Sequence, residues 1–222
     1  MYGESGGEAV ITYPKIETLY NRGDDFRVRR GDYRCPEFAL IRGDSWVATE
    51  KVDGTNIRVG WDGEKVEVNG RSDNAQLPGD LLKWIGATFT AEKLSEFFKL
   101  TPGGPQAVIF GEGYGNGIQK GGRLSPQKKV ILFDVNIGGV WMPRQFVEDA
   151  ASAMGVEAVP VLPQASLLEI VEMVAEGFAS QLGERPPAEG VVCYTEPRLL
   201  TRGGARLVWK LKTKDFSGER MS

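Results

Sequence analysis

Ala48-Thr49-Glu50-Lys51-Val52-Asp53-Gly54-Thr55-Asn56 is the stretch on which the reading of this chain turns. Upstream, Trp46-Val47-Ala48 closes an apolar run. Downstream, Asn56-Ile57-Arg58-Val59-Gly60-Trp61 alternates polar and apolar residues as a half-buried strand does. Asp53-Gly54 is a turn dipeptide of the hairpin-forming kind. The pattern therefore predicts two strands joined tightly, with Lys51 at the mouth of the turn and Glu50 and Asp53 beside it. A lysine held on a rigid element among charged neighbours suits covalent nucleophilic work. A solvated lysine on a surface hairpin fits the same letters.

Composition narrows the chemistry. The chain has 222 residues, 41% hydrophobic and 26% charged, enough to bury a core without staples. It contains no histidine. That removes a Ser-His-Asp or Cys-His nucleophile and the usual histidine zinc sites, and leaves carboxylates, lysines, tyrosines and thiols for any acid-base or covalent step. Cys35 and Cys193 lack metal-ligand spacing and read as buried reduced thiols. No apolar run nears the roughly 20 residues a bilayer span needs, and no signal pattern opens the chain. The expectation is a cytoplasmic protein with no membrane partner. A net charge of −3 leaves a polyanionic partner open, because a local basic groove binds phosphates on an acidic protein.

Outward from Lys51, residues 1–9 read as a glycine-rich tail, and Tyr13 to Tyr20 as a short helix opening near Pro14. Phe26 to Cys35 is basic, with Tyr33 and Phe26 interleaved; it suits a phosphate-facing surface or a solvated loop. Glu64 to Gly70 alternates as a second strand ahead of Arg71-Ser72. Apolar spacing over Leu81–Leu100 predicts two helices, the second capped by Thr90. Ala107–Gly115 and Val130–Val135 read as strands, and Gly138-Gly139 as a hairpin turn. Pro143–Met154 and Ser166–Leu182 have helical periodicity, with Gly183 as the stop of the second. Glu189–Tyr194 and Ala205–Lys212 are the last strands, and a short polar tail follows Lys214. Hairpin-linked strands with grouped helices predict an α+β fold of antiparallel sheets, as one domain over residues 1–222.

Several strands carry charge where a structural strand needs none: Glu112, Asp134, Glu189, and Lys210 with Lys212. By period two, both lysines face one way, a repulsive arrangement unless an anion such as phosphate lies between them. Lysines guarding an edge strand are the plainer account. Glu112 and Glu189 suit a hydrated divalent cation or a ribose hydroxyl. Phe133 suits either a stacking platform or the core.

Taken in order, Lys-x-Asp-Gly, Arg-Ser, Phe-Gly-Glu, Phe-Asp, Glu-Gly-Val-Val and Lys-x-Lys form a motif series. From Lys51 to Lys212, the chain resembles the covalent nucleotidyltransferases, the polynucleotide ligases and mRNA capping enzymes. Lys51-Val52-Asp53-Gly54-Thr55-Asn56, Glu50, and the Tyr13 to Asn21 pattern resemble the RNA ligase 2 group most. DNA ligases and capping enzymes usually carry arginine where Asn56 stands.

The resemblance implies a nucleotidyltransferase (ATP-grasp-like) core with flanking helices. It also implies an ATP-dependent RNA ligase. Lys51 would attack the α-phosphate of ATP and hold AMP covalently. Asn56 would meet the α-phosphate, Arg71 and Glu112 the ribose, and Phe133 the adenine, with Asp134 beside it and Glu50 near the base. Glu189 would act with the metal, Mg2+ or Mn2+, together with Glu112, and Lys210 and Lys212 would neutralise phosphate. Lysine attacks only as the free amine, which a positive field from Lys210, Lys212 and Mg2+ favours. The partner implied is nucleic acid with 5′-phosphate and 3′-hydroxyl ends, RNA favoured. Lys120, Arg123, Lys128 and Lys129 are candidate backbone contacts or an ordinary exposed loop.

The chain departs from the group in having almost nothing after Lys-x-Lys: no C-terminal OB or helical domain is expected, so an accessory protein is a possible substitute. A capping-type guanylyltransferase, disfavoured by Asn56, and a catalytically silent nucleic-acid-binding relative are the alternatives.

Overall fold

A computed structural model describes residues 10–25, 27–41 and 46–216. The tail expected over residues 1–9, Phe26 of the basic stretch, and residues 217–222 of the C-terminal tail lie outside the described residues. The chain divides into two compact units. Unit 1 takes residues up to Tyr13, Thr55–Gly113 and Lys129–Glu157. Unit 2 takes Pro14–Gly54, Tyr114–Lys128 and the residues from Ala158 onward.

Unit 2 holds a four-stranded sheet in the order β1-β11-β10-β4: β1 (Glu17–Thr18), β4 (Trp46–Glu50), β10 (Gly190–Thr195) and β11 (Val208–Lys212). A separate hairpin pairs β2 (Tyr20–Arg22) with β3 (Val28–Tyr33), and a short helix α1 (Pro36–Leu40) follows. Helix α5 (Leu167–Glu176) buries Leu167, Ile170, Val171 and Val174, the i, i+3, i+4, i+7 stripe of a helix laid on a core. That stripe shares one cluster with Trp46, Val191, Trp209 and Leu211 of the sheet. At roughly 2 kcal/mol per buried aliphatic side chain, it anchors α5 far better than propensity does.

Unit 1 is a five-stranded sheet in the order β6-β5-β7-β8-β9: β5 (Thr55–Trp61), β6 (Val66–Asn69), β7 (Ala107–Tyr114), β8 (Lys129–Ile137) and β9 (Val140–Trp141). Only the last residue of β7 belongs to unit 2. Helices α2 (Gly79–Thr88), α3 (Ala91–Phe98) and α4 (Arg144–Met154) complete it. Thr90 caps α3, its hydroxyl accepting from Lys93 N. Gly138 and Gly139, at φ +56° and +87°, make the β8–β9 turn with both central residues left-handed, as a two-residue hairpin prefers.

The α+β class is borne out, and four finer expectations are corrected. Asp53-Gly54 closes no hairpin. β4 pairs with β10 and, at Thr49, bridges Val161, whereas β5 pairs with β6 and β7. Both edges of each strand are taken, so the turn passes the chain from one sheet to another. Tyr13–Tyr20 is extended instead of helical. Leu19 N donates to Lys210 O, and eight residues are too few for an isolated helix to compete with such an edge. The sheets are antiparallel except where β1 pairs β11 in parallel. Helix α5 ends at Gly177 (φ +82°), six residues before Gly183, because Ser180 and Gln181 are engaged by Glu50. No helix among the described residues is long and apolar enough to cross a membrane.

Candidate functional site

In unit 2, three charges meet. Lys51 follows β4, and its main-chain N–H donates to Gly190 O at 2.9 Å, which locks it to the start of β10. Glu189 precedes Gly190. Lys51 Nζ lies 2.6 Å from Glu189 Oε2, and Lys212 Nζ lies 2.6 Å from Oε1 of the same carboxylate. Gly190 is required at this junction: at φ +153°, a Cβ there would stand 2.0 Å from Leu211 O. Burial pushes the Glu189 carboxyl up, but the Lys51 and Lys212 ammonium groups outweigh it and hold it below the usual carboxylate range. Its side chain is 16% exposed, so the triad is half-open to solvent.

The repulsion expected between Lys210 and Lys212 is relieved by carboxylates. Lys212 has Glu189, and Lys210, opposite Thr18 and Val192, adds to the field that lowers Glu17 behind the larger effect of Lys15. Glu50, 2% exposed, lies at the floor of the cavity that Lys51 and Glu189 line. Its carboxylate accepts from Ser180 Oγ and, at 2.8 Å, from Gln181 N; Ser180 Oγ in turn accepts from Leu182 N at 3.0 Å.

Lys51, Asp53 and Glu189 open on a cavity of about 500 Å³ in the same unit, with Lys120, Arg123 and Lys214 on its wall. The expected basic loop is thereby divided. Lys120 and Arg123 reach this cavity, whereas Lys129 pairs with Glu157 of unit 1 at 2.8 Å.

Unit 1 carries the rest of the candidates. Asn56 and Glu112 are cross-strand partners in the β5–β7 register, so their side chains share one face. Asn56 Oδ1 is buried with no hydrogen-bond partner, an acceptor that costs stability unless a donor meets it. Phe133 is half-buried and meets Tyr13 edge-on, ring centroids 5.1 Å apart, within a cluster that includes Phe110 and Trp141. Asp134, buried, accepts from Tyr13 Oη at 2.9 Å, so it holds the tyrosine that braces Phe133. Arg71 is exposed on the turn after β6.

That turn is fixed by a residue the sequence reading passed over. Arg58 is fully buried, donating from Nε to Gly70 O, from Nη1 to Val10 O and from Nη2 to Asp73 Oδ1, each at 2.7 Å. Its signal was visible, an arginine between Ile57 and Val59 in a strand buried on both faces. Ser180, Arg22 and Asp215 were also missed, and nothing local in the sequence marks Ser180.

Among the described residues no three carboxylates or thiols gather as a metal cluster. A divalent cation held mainly by substrate phosphates needs only one or two carboxylates, and Glu189, partly open to solvent, fits that requirement within its own unit.

The RNA ligase family model matches residues 44–212. Solved structures of Naegleria gruberi RNA ligase share the fold. A mutant with ATP and Mn superposes at TM-score 0.67 with 16% identity over 94% of this chain and 57% of that one. A mutant with AMP and Mn gives 0.66, 16%, 94% and 57%, and an apo mutant gives 0.64, 17%, 93% and 60%. The chain thus spans about three-fifths of the length of those ligase chains. No curated protein matches it. The family match runs through Lys51, Glu189 and Lys212 alike, and the chain belongs to the RNA ligase family.

Proposed function

We propose that this chain is the adenylyltransferase core of an ATP-dependent RNA ligase, acting as one domain over residues 1–222. The supporting observation is the shared carboxylate: Lys51 and Lys212 each lie 2.6 Å from Glu189. Lys51 Nζ attacks the α-phosphorus of ATP. An N–P bond forms, the Pα–O bond to the β-phosphate breaks, and pyrophosphate leaves. The amine sheds its proton, and Glu189 Oε2 is the acceptor within reach. Lys212 and Lys210 set positive charge where the phosphoryl oxygens gain negative charge. Mg2+ or Mn2+, resting on Glu189 and Glu112, would add neutralisation of the same oxygens.

Asn56 takes the α-phosphate side of the nucleotide, Arg71 and Glu112 the ribose, and Phe133 the base; Asp134 serves through Tyr13, and Glu50 through the segment at Ser180. AMP then moves from Lys51 to an RNA 5′-phosphate, and a 3′-hydroxyl displaces AMP to seal the strand. Cytoplasmic residence belongs to the same proposal.

The test is incubation with divalent metal and α-labelled ATP or GTP. Acid-labile label from ATP that disappears in Lys51→Ala is expected. Label from GTP alone would identify a capping-type enzyme, and no label at all would leave only nucleic-acid binding. Joining is then assayed on nicked duplexes and on single-stranded 5′-phosphate RNA.

A further inference from the structure

The 3-10 turn Thr213–Phe216 after β11 carries a carboxylate that no part of the proposed chemistry uses. The Asp215 side chain is 1% exposed. Its Oδ1 accepts from Arg22 Nη2 at 2.7 Å, and its Oδ2 accepts from the main-chain N–H of Lys212 at 3.0 Å. A charge so deeply buried is costly unless every lone pair is engaged, so the position is specified.

The strand geometry explains why an acid stands there. Thr213 N donates to Glu189 O at 2.9 Å, which makes Thr213–Glu189 the hydrogen-bonded position of the β10–β11 ladder. Lys212, paired with Gly190, is then the non-hydrogen-bonded position, and its amide turns toward the other edge. On that edge, β1 has already ended at Thr18, so no strand carbonyl meets the amide. Asp215 supplies the missing acceptor, and Arg22 of β2 neutralises it. The same turn is tied to the neighbouring strand end, for Thr213 Oγ1 donates to Ala188 O at 3.3 Å. One short segment therefore fixes the backbone of both Lys212 and Glu189.

We infer that Asp215, neutralised by Arg22, is a positioning residue that sets where the Lys212 ammonium stands against Glu189 and the reacting phosphate. This rests on the proposed adenylyl transfer. A Lys212 displaced by an ångström still helps ATP bind but stabilises the transition state less, so the rate falls while half-saturation holds.

The experiment measures label transfer from α-labelled ATP to the full chain against ATP concentration, for wild type, Asp215→Ala, Asp215→Asn and Arg22→Gln, with circular dichroism at the assay temperature. In Asp215→Ala the expected result is a rate at saturating ATP lower by about tenfold or more, half-saturating ATP within about twofold, and a native spectrum. Arg22→Gln shows a smaller loss in the same sense. If Asp215→Ala does not fold, Asp215→Asn, which keeps an acceptor for the Lys212 amide, is held to the Arg22→Gln criterion. A lowered melting point with an unchanged saturated rate, or a rate and half-saturation that shift together, overturns the positioning role and leaves the adenylyl-transfer reading intact. Absence of label on wild type overturns both.

Discussion

The two units handle charge in opposite ways. In unit 2, Lys51 and Lys212 each lie 2.6 Å from Glu189 in a partly open site, so the chemistry proposed there would exchange an existing ion pair for a substrate. In unit 1, the candidate contacts are unlike this. Asn56 Oδ1 is buried with no partner, while Arg58, a deeply buried cation, spends its donors on the protein's own turn. One unit gathers two cations on a single carboxylate, leaving a net positive charge; the other keeps an acceptor unmet and uses its charge for scaffolding. An unmet acceptor calls for a ligand donor such as a ribose hydroxyl, and a replaceable ion pair for a ligand anion such as a phosphate.

The largest effect tests the ion pair directly. Lys51→Ala is expected to reduce lysyl-AMP label below detection, measured with α-labelled ATP, because the proposed N–P bond is made by the Lys51 amine, while Lys212 is assigned to charge stabilisation. Glu189→Gln leaves two ammonium groups facing one neutral amide, and labelling should fall on the order of a hundredfold. A Glu189→Gln protein that labels at the wild-type rate would break the contrast between the units.

Glu189 also gives the contrast a pH signature. Its folded value is depressed, so its stabilising contribution is complete above the unfolded carboxylate value, about 4.3, and is lost as pH falls through the lower folded value. Urea midpoints between pH 5 and pH 2 should fall less steeply in Glu189→Gln than in wild type.

In unit 1, Arg58→Met strands the carbonyls of Gly70 and Val10, and urea unfolding should show a loss of roughly 2–4 kcal/mol. Asn56→Leu should do the reverse, raising stability by about 1 kcal/mol by removing an unmet buried acceptor while slowing adenylyl transfer. A destabilised Asn56→Leu would mean that Oδ1 is met within the protein after all. The smallest effect is a control away from both sites. Ser166→Ala breaks the reciprocal Ser166–Glu169 cap of α5 and should cost about 1 kcal/mol with labelling unchanged.

Local pattern made much of the molecule legible. Thr90 capping α3, the Gly138-Gly139 turn and the strand at Val130–Val135 follow from spacing and turn chemistry that act within a few residues. The motif series marked Lys51, Glu189 and Lys212, because each stands at a strand end where an apolar run stops at a charge. Partner choice was not legible. Asp53-Gly54 has hairpin letters, yet whether two strands pair depends on which edges other strands have already taken, and β10 and β7 lie far along the chain. The α5 stop at Gly177 depended on Glu50, about 130 positions away, drawing Ser180 and Gln181 out of the helix.

By itself, then, the sequence determined the class of fold and the family and marked Lys51 as the candidate nucleophile, because periodicity, turn residues and ordered short motifs are written in neighbouring positions. Only the tertiary structure decided that one carboxylate serves two lysines, that Arg58 belongs to the scaffold, and that Asp215 stands in for an absent strand. Those are questions of which distant group reaches a given lone pair, and no spacing along the chain encodes that distance.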